Sequence, residues 1–356
     1  MLGQGSTMTG FVRDRRFRRG ATTVLPVLAV LAAYYLSAEL GLLLVPIRGM
    51  VTPLWPPAGV ALFSLLLLGP RGWPGILLGG FLVYAQLGAS LPAALAIAVG
   101  NTLAPLTGYL LLRRAAFRTE LDRTRDALAL LFLGALVPTL VSASVGTAAL
   151  MLDRALPAHQ FWATWSSWWS GDAIGIMLVT PLLLVLRRAR WPGGVPPRRW
   201  AEATALGIGT VLVTMTVTRL PFEWHLLFLA FPFLVWAAFR FQLAGVAPCT
   251  LAMSVIASAA AVHGTGPFAG GDLLVRVATL QAFNGVGLFT GLLLAAVITE
   301  RNHADAQLQR ATVTLADSVA RLEQRRSTQR GQIIDTAQRA ARADLHAPNE
   351  KPGDQR

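Results

Sequence analysis

The chain has 356 residues, 54% hydrophobic and 14% charged, with a formal charge of +13 at neutral pH. A soluble domain carries about a quarter charged residues. The deficit, with a mean hydropathy of +0.53, excludes a soluble enzyme, a fibre or a disordered chain and leaves a polytopic membrane protein. The charge does not point to nucleic acid. Of 31 basic residues 30 are arginine, and five lie in each of 13–19, 113–125 and 187–199, beside apolar runs, where cytoplasmic anchors sit.

In chain order, residues 1–22 form a basic N-terminus, expected in the cytoplasm. The apolar stretch from Thr23 to Pro46 is too long for a signal-peptide core and reads as an uncleaved first helix. Further helices are expected near 54–69, 73–89, 91–112, 127–151, 167–186, 202–219, 224–240, 243–263 and 273–298. The fold class is therefore all-α: a transmembrane bundle of about ten spans followed by a cytoplasmic helix. Trp55-Pro56-Pro57 and Trp73-Pro74-Gly75 break the two short runs within 52–89, so eight spans plus a re-entrant pair is the alternative. Either count puts both termini in the cytoplasm. Up to residue 300, seventeen arginines then lie inside, and only Arg48, Arg154, Arg219 and Arg276 lie outside, as the positive-inside rule demands.

Residues 23–300 make up the membrane domain. From Glu300 the composition turns polar. Leu308, Leu315 and Leu322 recur every seven residues, with Thr312 and Val319 between them. This predicts a signalling helix or short coiled coil over 301–325, or a solvated amphipathic helix; 326–356 is expected to be disordered. A tail of this size cannot hold a kinase or cyclase.

Polar groups inside membrane helices are functional candidates because they are costly there. Glu39 lies in the outer part of the first helix, either buried and protonated or reaching the interface. Asn101 sits mid-helix, where it can tie helices together or line a site. Gln281 and Asn284, three apart, share one helix face. Asp172 follows Trp165-Ser166-Ser167-Trp168-Trp169-Ser170-Gly171 at the expected start of a helix. It either caps that helix within an aromatic belt or is the fixed anion of an outward-facing aromatic pocket. His225 beside Glu223, and His263, read as outer-surface groups. No catalytic constellation, phosphate loop or metal-ligand pattern is present, and the single Cys249 allows neither an internal disulfide nor a cysteine cluster. No enzyme activity, cofactor or metal is expected.

At Pro53-Leu54-Trp55-Pro56-Pro57-Ala58-Gly59-Val60-Ala61-Leu62, Gly69-Pro70-Arg71-Gly72-Trp73-Pro74-Gly75 and Gly79-Gly80-Phe81-Leu82-Val83 the chain resembles a known bacterial family, the first class of membrane-associated sensor domains, MASE. The likeness continues through Gly100-Asn101-Thr102-Leu103, Trp168-Trp169-Ser170-Gly171-Asp172, Thr180-Pro181, Trp236-Ala237-Ala238-Phe239-Arg240-Phe241, Gly266-Pro267-Phe268, Leu280-Gln281 and Glu300-Arg301. The resemblance implies a sensory module, usually fused after the closing Glu-Arg to a histidine kinase or a cyclic-di-GMP enzyme. Two departures stand out. Ala104 occupies a position where the family tends to have Glu, and no output domain follows; His303 lacks the acidic neighbour of a phosphoacceptor.

The expected function is a membrane sensor of an unknown small molecule or membrane state, with Trp55, Asn101, Trp168, Trp169, Asp172, Gln281, Asn284 and Glu39 as ligand-sensing candidates. Its signal leaves through Glu300, Arg301, Leu308, Leu315 and Leu322. The expected partners are the lipid bilayer and a kinase- or cyclase-type signalling protein of a two-component or related system; a homodimer is also allowed, and nucleic acid is not expected. The alternative is a transporter or channel, because intramembrane polar groups and broken helices also suit substrate pathways.

Overall fold

A computed structural model describes residues 7–43, 52–189, 196–220, 226–269 and 273–345. Expectations for Arg48, Arg190, Glu223, His225 and the tail from His346 lie outside these residues. Every described element is helical. The helices are α1 (Thr7–Leu42), α2 (Pro56–Leu68), α3 (Trp73–Gln86), α4 (Leu91–Arg114), α5 (Thr124–Ala129), α6 (Thr139–Leu152), α7 (Phe161–Arg188), α8 (Pro197–Val217), α9 (Phe231–Phe241), α10 (Leu243–His263) and α11 (Leu273–Leu345). A π-helical segment, Leu130–Leu136, joins α5 to α6.

Among the described residues, eight stretches are long and apolar enough to cross a membrane: Val24–Leu42, Pro56–Gln86, Leu91–Arg114, Thr124–Leu152, Ala158–Arg188, Pro197–Val217, Leu243–His263 and the stretch beginning at Val275. All ten expected helices have counterparts, but three are short. Leu226–Phe241 is apolar but shorter than these eight; with the seven full stretches outside Pro56–Gln86 it makes the even number of crossings that eight spans plus a re-entrant pair require. The other two, α2 and α3, have 13 and 14 residues, or about 20 Å each, against a hydrocarbon core of about 30 Å. They fold back on each other at Gly69, whose φ of +67° suits a residue without a side chain. Gly41 near the end of α1 lies against Pro56 at the start of α2, whereas Gly75 at the start of α3 lies against Val27 and Val30. The stretch Pro56–Gln86 is therefore a hairpin that leaves at the end where it entered.

The membrane unit runs to Glu300, and the residues from Arg301 form a second unit. Among the described residues one core cluster gathers Leu62, Leu65, Ile76, Leu112, Leu130, Ile176 and Leu178, a second Leu206, Leu234, Ala237, Val246, Met253, Phe268 and Leu280, and a third Ala38, Trp55, Tyr84, Ile97 and Trp168. Two small-residue crossings bring backbones close, as membrane helix packing requires. Gly59 on α2 meets the Gly175 carbonyl, and Gly171 and Gly175 on α7 meet the carbonyls of Thr52 and Trp55.

Three boundaries differ from the sequence reading. Helix α1 begins at Thr7, ahead of the apolar onset at Thr23. Helix α7 begins at Phe161 rather than 167, because the aromatic run before the apolar core is helical too. Helix α11 continues to Leu345 rather than ending at 325, through a stretch rich in Ala, Gln and Arg, which are good helix formers, with an Asp335–Arg339 pair one turn apart.

Candidate functional site

Asp172 is three turns into α7, too deep to act as a helix cap, and only 3% exposed. This corrects its expected place at the helix start: with α7 beginning at Phe161, the dipole of the first turn does not reach it. Its Oδ2 accepts a 2.6 Å hydrogen bond from the Ser142 hydroxyl on α6. Its Oδ1 is buried with no partner, and no ion pair with it is found among the described residues.

Around it stands a cluster drawn from α1, α3, α4, α6 and α7. Tyr84 stacks on Trp168 at 5.8 Å between centroids and is tilted against Trp55 at 6.1 Å. The Asn101 amide nitrogen donates to the Tyr34 hydroxyl at 3.4 Å, a weak bond at that length. Gly146 on α6 lets the Trp168 ring lie directly on the helix backbone. Trp55 Nε1 and Asn101 Oδ1 are buried without partners, as is Asp172 Oδ1. One orphan donor and two orphan acceptors in a shared aromatic setting are costly unless something fills them.

The extended segment before α2 ties this cluster to α11. The Trp55 amide donates to the Gly171 carbonyl at 3.2 Å, and Gln281 Nε2 on α11 donates to the Pro53 carbonyl at 3.1 Å. One turn further along α11, Asn284 is 2% exposed with both amide atoms unpartnered.

Trp169 faces another way. It stacks on Trp165 at 6.0 Å and donates from Nε1 to the Leu136 carbonyl at 2.8 Å. The amides of Leu140 and Val141, one turn on, bond instead to the Val137 and Pro138 carbonyls, which leaves the Leu136 carbonyl to the indole and, at 3.3 Å, to the Thr139 hydroxyl. The Thr139 hydroxyl serves the same junction, donating to the Ala135 carbonyl at 2.7 Å.

The far end of α11's membrane portion is held as well. Glu300 Oε2 accepts from the Thr124 amide at 3.0 Å and from its hydroxyl at 2.8 Å, capping α5 from another helix. Beside this contact the loop between α4 and α5 is pinned by Arg188, which bonds Glu120 at 2.5 Å and Thr119 at 3.1 Å. Partial burial raises the Glu120 carboxyl, but its own backbone amide and the Arg188 guanidinium outweigh this and hold it below the usual carboxylate range.

Of the expected sensing residues, the fold thus brings together Trp55, Asn101, Trp168 and Asp172, and joins Gln281 to them through Pro53. Asn284 is buried nearby on the same face of α11. Trp169 belongs to the neighbouring π-helical junction. Glu39 is half-buried, with Oε1 unpartnered, and no described hydrogen bond links it to Asp172. The sequence reading missed Tyr34, Tyr84 and Ser142. Two phenolic hydroxyls in apolar helices, each needing a partner, were the available signal. Arg301 pairs with Asp305 at 3.9 Å, while Leu308, Leu315 and Leu322 are all about two-thirds exposed.

Residues 26–302, more than three quarters of the chain, match the family model described as MASE1. No curated protein and no solved structure matches.

Proposed function

The chain belongs to the MASE1 family, a family of membrane sensor domains in signalling, and we propose that the buried Asp172 cluster is its sensory site and α11 the exit for its signal. The observation that carries this reading is the carboxylate itself. A buried carboxyl group bonded to the Ser142 hydroxyl, with the Trp168 indole beside it and Oδ1 unpartnered, is held at a cost that packing alone does not require. Its surroundings suit a small polar or cationic stimulus: Tyr34, Trp55, Tyr84 and Trp168 supply aromatic faces and Asn101 an amide.

The exit follows from two contacts on one helix. Helix α11 touches the cluster through Gln281 and Pro53, and holds the start of α5 through Glu300. The two residues are about 28 Å apart along the helix. A shift at the first contact is transmitted to the second if the helix moves as a unit. Both termini lie in the cytoplasm, and a kinase- or cyclase-type partner receives the signal from Arg301, Leu308, Leu315 and Leu322. The protein itself is not an enzyme.

The test uses full-length protein in vesicles with one fluorophore at position 301 (Arg301→Cys in a Cys249→Ser background). Stimuli are a panel of small cations, polar metabolites and osmotic steps applied from outside. A stimulus that changes the fluorescence without solute flux, and does so no longer in Asp172→Asn, supports sensing. Stimulus-dependent solute flux through the same protein would instead make it a transporter.

A further inference from the structure

The stimulus that the Asp172 cluster reads is a proton, we infer, and its signal is the redirection of a single hydroxyl hydrogen. This inference rests on the sensory reading above and names its ligand. The Ser142 hydroxyl has one hydrogen and two acceptors within reach, Asp172 Oδ2 at 2.6 Å and the Thr139 carbonyl at 3.0 Å. It serves one well at a time. With Asp172 ionised, the hydrogen goes to the carboxylate, because a charged acceptor makes the stronger bond. When Asp172 takes up one proton from water, its new O–H donates to Ser142 Oγ, and the Ser142 hydrogen swings to the Thr139 carbonyl. One O–H bond forms at the carboxyl, hydronium gives up the proton, and no other covalent bond changes.

The surroundings leave Asp172 to govern this choice. The segment 52–55, α2, the π-helical segment and α6 carry no ionisable side chain. Tyr34 faces Asp172 from α1 and Tyr84 from α3; both are phenols that stay neutral across the physiological range. Helix α4 offers the neutral Asn101, and α7 itself offers Trp168. On α10, which packs on α7, Cys249 is engaged by the Thr210 hydroxyl and His263 closes the helix. Glu39 on α1 has no hydrogen bond to Asp172 and Arg276 on α11 lies against Gly264, so among the described residues no ion pair fixes the carboxylate in its charged form.

The relay ends where the helix is least regular. Thr139 is the first residue of α6, directly after Pro138 and the π-helical segment. A π-helical turn holds one residue more than an α-turn and is a natural place for a change of register. The junction is secured by side-chain bonds from Thr139 and Trp169, so gaining or losing the Ser142 bond alters it directly. The same stretch begins at Thr124, the residue held by Glu300. Protonation therefore reaches the exit along the Thr124–Leu152 stretch, at the contact where Glu300 of α11 holds Thr124.

The experiment combines infrared difference spectra, acidic minus alkaline buffer, with the fluorophore at position 301, on the full chain in lipid nanodiscs. Wild type is expected to show a protonated-carboxyl carbonyl band on acidification together with a fluorescence change, and Asp172→Asn is expected to lose both. Ser142→Ala should keep the band but lose the fluorescence change about tenfold, the worth of one hydrogen bond to a charged group, and Ser142→Thr, which restores a hydroxyl, should recover it. Thermal melting of each variant verifies folding. A band absent from folded wild type, or unchanged in Asp172→Asn, overturns the proton as ligand, while an Asp172-dependent response to another stimulus leaves the sensory reading standing. An undiminished fluorescence change in Ser142→Ala overturns the relay. A titrating Asp172 with no fluorescence change at any pH overturns this inference and counts against the sensory reading as well.

Discussion

Gly175→Ala places a methyl group where the fold has none to spare. A Cβ built there lies 2.0 Å from the Trp55 carbonyl oxygen and 2.7 Å from its carbon. Both atoms are backbone, so no side chain can rotate away, and α7 must part from the segment 52–55 by more than an ångström. That separation breaks the 3.2 Å bond from the Trp55 amide to the Gly171 carbonyl, at about 1 kcal/mol. Overpacking adds about 1–3 kcal/mol, and the better helix propensity of alanine returns about 0.5–1 kcal/mol. A net loss of about 1–3.5 kcal/mol is expected, along with displacement of Trp55 from Tyr84. The comparison is Gly207→Ala on α8, where nothing lies within 4 Å of the added carbon and about 0.5–1 kcal/mol of stabilisation is expected. Reversible unfolding in mixed lipid–detergent micelles, followed by helical circular dichroism, measures both. If Gly175→Ala is no more destabilising than Gly207→Ala, the close crossing of α7 and the Trp55 segment is wrong, and the cluster built on it fails with it.

Trp169→Phe keeps a ring against Trp165 but removes the donor to the Leu136 carbonyl; a cost of about 1–3 kcal/mol is expected in the same unfolding assay, and no cost would mean that this carbonyl is satisfied without the indole. A double-mutant cycle of Thr124→Ala and Glu300→Ala should return a coupling of about 1 kcal/mol, the worth of a helix cap, whereas additive losses would deny the contact between α5 and α11. Reporter fusions after residues 20 and 300 should both be active only with a cytoplasmic reporter, and opposite results would refute the even number of crossings.

Much of the fold was legible because the bilayer imposes a coarse code. Apolar runs near the required length marked the helices, and the arginine clusters at 113–125 and 187–199 marked loops that the structure joins through Arg188, Thr119 and Glu120. The hairpin at Gly69 was visible only as an ambiguity, since two prolines and short runs fit both a crossing pair and a re-entrant one. Asp172 was singled out for its charge, but its depth was hidden: the helix extends through Phe161–Trp165, and hydropathy does not distinguish an interfacial helix from an interfacial loop. Tyr34, Tyr84 and Ser142 were missed because none is unusual alone. They become a site only when α1, α3 and α6 meet α7. The trans cap of Thr124 by Glu300 joins residues far apart in the chain, and no periodicity announces it. The extension of α11 to Leu345 was missed for the opposite reason: polar, charged sequence reads as disorder, although its alanines and its Asp335–Arg339 pair favour a helix.

The most direct test of the coupling between the Asp172 cluster and the exit of α11 is hydrogen exchange at the Thr124 amide, which Glu300 holds on the far side of the bundle from the mutation. Compared with wild type at neutral pH, Asp172→Asn is expected to change exchange at Thr124 by about tenfold, equivalent to about 1.4 kcal/mol, while the amides of α8 around Gly207 stay unchanged. Identical exchange at Thr124 in the two proteins, with both folded, would contradict the coupling on which the account depends.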